Sequence, residues 1–195
     1  MTLLSSLLFK ITSYCRCRII SGPDQTPYLE RYHLFRLPFG YQVYIHRFVA
    51  SDPGRGLHNH PWNRAISLVL SGCYEEIRMA NARGNHQIQT RRLSAGHLNW
   101  IDRSIFHRIN LINDTESWTL FVHGPKASNW GFLHIREQWQ EQRRGQQHAF
   151  HDHDSLLDQG SSPLWWKTAP RPVDCPAMRQ PAATPGRPAV PTIAR

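Results

Sequence analysis

The chain has 195 residues, 40% hydrophobic and 19% charged, which fits one globular domain with extensions and excludes a fibrous or wholly disordered protein. Its formal net charge is +9, yet the basic residues are scattered and their tightest clusters are pairs such as Arg91-Arg92 and Arg143-Arg144. No basic helix or RGG-like run is present, so a solvated basic surface is expected and a nucleic-acid partner is not.

In chain order, residues 1–25 form an N-terminal unit, with residues 1–20 reading as a short amphipathic helix or an ordered arm. Residues 1–8 are apolar but too short, and lack the basic flank of a leader. Neither a signal peptide nor a membrane span is expected, which points to the cytoplasm. Ser21-Gly22-Pro23-Asp24 breaks the chain into a loop. From Tyr28 the texture becomes β. Strand candidates cover residues 41–48, 65–71, 74–79, 86–92, 97–101, 107–112 and 118–123. Turn-like pieces separate them: residues 51–54, 81–85, 94–96 and 113–114. Many short strands with turn signals every eight to twelve residues predict an all-β sandwich, jelly roll or barrel, over residues 26–135. Residues 136–167 are a polar extension, with a Gln- and Arg-rich helix expected over 133–147. The last stretch, 168–195, holds seven of the fourteen prolines and few large apolar residues, so a disordered tail is expected.

Four cysteines, Cys15, Cys17, Cys73 and Cys175, have no framework spacing and read as free thiols in a reducing compartment. No Gly-rich phosphate loop, serine elbow or paired C-x2-C zinc motif occurs.

The twelve histidines carry the chemistry. His58 and His60 stand two apart in Gly56-Leu-His-Asn-His-Pro-Trp62, and in an extended segment such residues project to one face. Two imidazoles so placed can chelate one divalent metal, although the same spacing is common on surfaces. A third ligand must come from a strand crossing nearby, and His107 is the candidate. His46 and His123 sit on strands flanking this region, and each reads as a structural histidine or a pocket donor. Tyr44 and Tyr74 read first as core aromatics, and Trp62 as packing at the barrel mouth. His148, His151 and His153 form a second cluster outside the strand pattern, read as adventitious.

The two segments resemble the paired motifs of the cupin superfamily. The first cupin motif ends H-x-H, then four residues, Glu, six residues and Gly; His58, His60 and Gly72 match it. The second runs G-x5-P-x-G-x2-H; Gly96 and His107 match, with Asp102 and Ser104 at the Pro and Gly positions. The segment is also similar to a group of small bacterial and phage cupin-like proteins with His-x-His-Pro-Trp. The motif glutamate falls on Ala65, or on Arg64 with the shorter spacing, and Glu75 and Glu76 lie beyond Gly72.

The resemblance implies a double-stranded β-helix, the cupin jelly-roll barrel. It also implies a divalent metal held by His58, His60 and His107, a three-histidine set like that of the thiol dioxygenase branch. Three neutral imidazoles leave the metal's charge uncompensated and favour a small anionic substrate. Fe(II) is then the first metal, with Mn, Ni or Zn acceptable to the same ligands. Arg64 and Arg108 flank the proposed ligands and are candidates to clamp a substrate carboxylate. The reading is an Fe(II) oxygenase-type enzyme; the alternative is a non-catalytic cupin module that binds a small ligand or a protein partner. A sheet-edge homodimer is a further expectation.

Overall fold

The computed structural model describes residues 2–54, 56–82, 85–138, 145–152 and 164–181. It opens with one helix, α1 (Leu3–Thr12), which Thr2 caps by accepting the Ser5 backbone N–H at 3.1 Å. Twelve strands follow: β1 (Arg16–Ser21), β2 (Pro27–Arg36), β3 (Gln42–Phe48), β4 (Leu57–His58), β5 (Ala65–Ser71), β6 (Cys73–Ala82), β7 (Asn85–Ser94), β8 (Leu98–Ile101), β9 (Ile105–Leu111), β10 (Ser117–His123), β11 (Gly131–Gln138) and β12 (Gly145–Asp152). The four cysteines are free. Among the described residues, no helix is long and apolar enough to cross a membrane.

The strands form two antiparallel six-stranded sheets, ordered β1-β2-β3-β10-β5-β8 and β12-β11-β4-β9-β6-β7. Within them, β3-β10-β5-β8 faces β4-β9-β6-β7. From β3 to β10 consecutive strands alternate between the sheets, except for the β6–β7 hairpin, as in the double Greek key of a jelly roll. The expected all-β double-stranded β-helix is therefore present. Strand alternation decides what lines it: β5, β9 and most of β10 bury every second residue. Leu29, Phe48, Val69, Tyr74, Leu93, Ile109 and Leu111 fill part of the interior. The opposite face of the first sheet carries a second cluster, where Tyr32, Ile45 and Trp118 meet Leu8 of α1.

Two turns account for one departure from the motifs and one match to them. Asp102 and Ser104 make an Asx-type turn: Asp102 Oδ1 accepts the Ser104 backbone N–H at 2.8 Å and its hydroxyl at 2.5 Å. That turn supplies the bend before β9 that the Pro and Gly of the motif would supply. Gly72 is retained because its φ is +80° and a Cβ there would overlap the Glu116 carbonyl oxygen.

The N-terminal unit holds the expected short helix, α1, and extends beyond it, since Arg16–Ser21 joins the first sheet beside β2. Two expectations about the C-terminal flank are corrected. The described residues within 133–147 form strands instead of the expected helix: β11 and β12 pair antiparallel from Gly131↔Asp152 to Gln138↔Gly145, and β11 also pairs with β4. A free sheet edge at β4 overrides the weak helical preference of this polar stretch. Residues 139–144 and 153–163 lie outside the described residues. The proline-rich stretch is ordered from residue 164 to 181, because it borrows partners from the barrel instead of building a core. Cys17 N–H donates to Pro170 O at 2.9 Å, and Val173 N–H donates to Ser13 O at 2.9 Å. The remainder of the tail, 182–195, lies outside the described residues.

Candidate metal centre

The register of the second sheet brings the histidines together. His58 on β4 pairs directly with His107 on β9, and β4 is so short that the chain turns immediately afterwards to bring His60 alongside. One ligand atom from each of His58, His60 and His107 lies within 4.8 Å of the others, and the ring centroids are 4.8–5.0 Å apart. Nε2 of His60 and Nε2 of His107 are 2.9 Å apart. Two nitrogens each about 2.1 Å from a metal, and at right angles, stand about 3.0 Å apart, so the spacing suits adjacent positions of one coordination sphere.

Carboxylates stand behind two of the rings. His107 Nδ1 donates to Glu76 Oε1 at 2.6 Å, which turns Nε2 toward the other histidines. Glu76 is fully buried, and Asn99 Nδ2 donates to it at 2.8 Å while Arg91 pairs with its other oxygen. Burial alone would raise this carboxyl; the hydrogen bond and charge of His107, then Arg91 and Asn99, overcome it and hold it down at about 2. Behind His58, Asp52 Oδ2 lies 3.8 Å from Nδ1 and accepts the Ile109 backbone N–H at 2.8 Å. His60 stacks on Trp62, with centroids 4.9 Å apart. Burial first, and then the neighbouring His107 and His58, keep His60 well below the usual imidazole range. A neutral imidazole is the form that binds metal.

The first sheet contributes the facing wall. Tyr44, His46 and Phe48 on β3 point inward, as do Thr119, Phe121 and His123 on β10. Trp62 stacks on His123 at 4.0 Å, and His46 stacks on Phe121 at 4.7 Å. His123 is buried, with Nδ1 donating to Gly124 O at 2.6 Å, and burial lowers its pKa to about 4. His46 is also buried and held well below its usual range, by burial and then by Arg31. Trp165 packs against the cluster of Tyr44, Ala65, Ile101 and Phe121.

The two arginines expected at the site are elsewhere. Arg108 follows His107 on a strand whose buried residues are Ile105, His107, Ile109 and Leu111, so it projects from the opposite face; its Nε donates to Asn110 Oδ1 at 3.1 Å. Arg64 is exposed before β5. Among the described residues, Arg31, Arg78 and Arg91 reach toward the site, donating to His46, Asn99 and Asn99 respectively, and none was offered from the sequence as a site residue. Glu76 was passed over as well, because the motif places its carboxylate before Gly72. A signal for it was available in the β6 alternation of Tyr74, Glu76 and Arg78. His148 and His151 lie on β12, and His153 lies outside the described residues.

No protein-family model matches the chain, and no curated protein matches it. Similar solved structures include the DMSP lyase DddQ from Ruegeria pomeroyi, with TM-score 0.48 and 17% identity over 64% of this chain and 65% of that one. Oxalate oxidase in complex with glycolate gives TM-score 0.45 and 18% identity, over 58% of this chain and 59% of that one. A cupin-2 domain-containing protein from Shewanella frigidimarina gives TM-score 0.38 and 15% identity, over 49% and 79%. This chain spans less than two thirds of the first two. Likeness at this level says nothing of activity, and the fold assignment rests on the strand order itself.

Proposed function

We propose that His58, His60 and His107 hold one divalent metal inside the jelly roll, Fe(II) first, and that the centre acts on a small anionic molecule as a mononuclear oxygenase-type enzyme. The observation that carries this reading is the convergence of three imidazoles, two of them backed by the carboxylates Glu76 and Asp52. The hydrogen bond from His107 to Glu76 is the kind of pairing that fixes a ligating ring's orientation around protein metal sites. When bound, the metal would supply Lewis-acid and redox chemistry and open coordination positions for substrate. The protein's own residues do the rest. Glu76 orients the His107 imidazole and Asp52 places a negative charge near His58, while Trp62, Phe121 and Tyr44 surround the centre with rings that limit water.

A non-catalytic metal-binding module is the second reading, favoured by Ala65 standing where the related motif carries a ligating glutamate. Oxygen uptake by anaerobically Fe(II)-loaded protein, offered a panel of small thiols and carboxylates, separates the two. The enzyme reading expects substrate-dependent uptake that His107→Ala abolishes. Stoichiometric iron with no uptake across the panel would favour the module.

A further inference from the structure

We infer that two copies of this chain pair face to face, with α1 of each laid on the open half of the other copy's first sheet.

The outer side of the first sheet has two unlike halves. Over β2, β3 and the start of β10 it is covered by α1, whose Leu8 meets Tyr32, Ile45 and Trp118. Over β5, β8 and the rest of β10 the outward side chains stay open to solvent. Strand pairing sets two rows there, Leu120–Leu68–Leu98 and Val122–Ile66–Trp100. Both rows point outward, because Phe121, His123, Ser67, Asn99 and Ile101 are the buried alternates on the same strands. The four side chains on β5 and β10 are half-buried, whereas Leu98 and Trp100 are 56% and 60% exposed. An antiparallel sheet that faces water carries polar residues on that side. Six apolar residues in six adjoining positions mark a surface made to be covered.

The helix carries the complement. Its buried positions are Ser5, Leu8 and Thr12, and the Ser5 hydroxyl meets Ser71 Oγ at 2.8 Å. At about 100° per residue, Leu3, Leu4, Leu7 and Ile11 fall within an arc of about 100° on another side of α1. They are 44–92% exposed. The helix thus turns two hydroxyls toward its own barrel and presents four large apolar side chains to solvent. Stripe and open half adjoin, since Leu70 and Leu120 pack partly against the cluster under α1.

Shape and charge select a second copy as the occupant. A helix lying on a sheet stands about 10 Å proud of it. A flat lipid surface resting on Leu3 and Leu7 would therefore leave Leu68 and Leu98 uncovered. An identical chain related by a two-fold axis fills both: its helix enters the recess beside α1, and its recess receives α1. That is the reciprocal contact of an isologous dimer, made across faces rather than along a sheet edge. The chain's net charge of +9 opposes self-association through its basic surface. Neither the stripe nor the two rows contains a charged residue, so repulsion between copies is least here. The exposed stripe, Leu98 and Trp100, with the half-buried side chains between them, offer on the order of the 800 Å² per partner that a standard interface buries.

The test is sedimentation velocity of the full chain at micromolar concentration, where interfaces of this size begin to associate. Wild type sediments at twice the chain mass. Leu7→Lys on the helix and Leu98→Glu on the sheet each put a charge into the contact, at positions more than half exposed in the single chain. Each variant keeps the wild-type circular dichroism spectrum and weakens the dimer at least tenfold; Ile11→Lys replaces Leu7→Lys should that variant unfold. Mixed one to one, the helix and sheet variants dimerise again, because one half of the mixed contact is wild type and the other half brings the two opposite charges together. A wild type that stays monomeric overturns the inference, and flotation of that monomer with phosphatidylglycerol vesicles would assign the face to a lipid surface instead. A dimer that neither variant weakens, or variants that do not restore it on mixing, would overturn it too.

Discussion

At the scale of single residues, the side chains that stand behind the histidines decide how the rings are held. Glu76 holds His107 by a 2.6 Å hydrogen bond and is itself held by Arg91 and Asn99. Glu76→Gln keeps the shape and removes the charge, so His107 loses the partner that fixes its orientation and basicity. The expected outcome is a 10- to 100-fold loss of metal affinity, read by competition with a chromogenic chelator. An unchanged affinity would show that Glu76 serves only to neutralise Arg91. The histidines themselves were legible in the sequence, because a two-residue spacing on an extended segment fixes a common face. The arginines were misplaced for the same geometric reason. Arg108 is adjacent to His107 along the chain and so must face away from it on a strand. Arg31 could not be found by adjacency, since it reaches the site from β2, 27 residues before His58.

At the scale of elements, the segment at 164–181 shows how a polar, proline-rich stretch acquires order. Arg47 on β3 is fully buried between Glu30, at 3.1 Å, and Glu116, at 2.6 Å. Its remaining N–H groups donate to Gln180 O at 2.8 Å and Pro181 O at 2.7 Å, while the Gln180 N–H donates to Glu30 at 2.7 Å. Arg179 adds a contact 3.3 Å above the Phe9 ring. Removing Arg47 leaves two buried carboxylates uncompensated, and Arg47→Ala is expected to cost about 3–5 kcal/mol in urea unfolding. Ending the chain after residue 163 removes the backbone acceptors without touching the ion pairs, and is expected to lower stability by less. Composition predicted disorder here because it reports what a segment can bury by itself, and this one leans on a buried ion pair that the linear sequence does not reveal. The β11–β12 pair was missed for a related reason, since its place is set by the edge of β4.

At the scale of the whole molecule, the barrel is built around imidazoles that must stay neutral. His123 has a folded pKa of about 4 against about 6.5 when exposed, and His46 is depressed as well. A lowered histidine pKa means that the unfolded chain binds protons first. Stability is full above about pH 6.5 and falls as pH drops toward 4, with His123 alone worth about 3 kcal/mol. Chemical unfolding between pH 7 and 4 is expected to show that decline, and His123→Gln is expected to flatten it; an equally steep decline in the variant would assign the effect to other groups. The jelly roll as a whole was legible, because seven strands announce themselves by β-branched and aromatic texture between turn residues. The polar group behind His107 was not, because Glu76, Arg91 and Asn99 meet only once β6, β7 and β8 have folded around β9.

The central claim is that three histidines share one metal, and a crystal structure of the protein loaded with Fe(II) or Co(II) tests it most directly. The account predicts a single ion with nitrogens of His58, His60 and His107 each about 2.0–2.2 Å away. An ion bound instead at the His148, His151 and His153 cluster, with those three rings unligated, would contradict it.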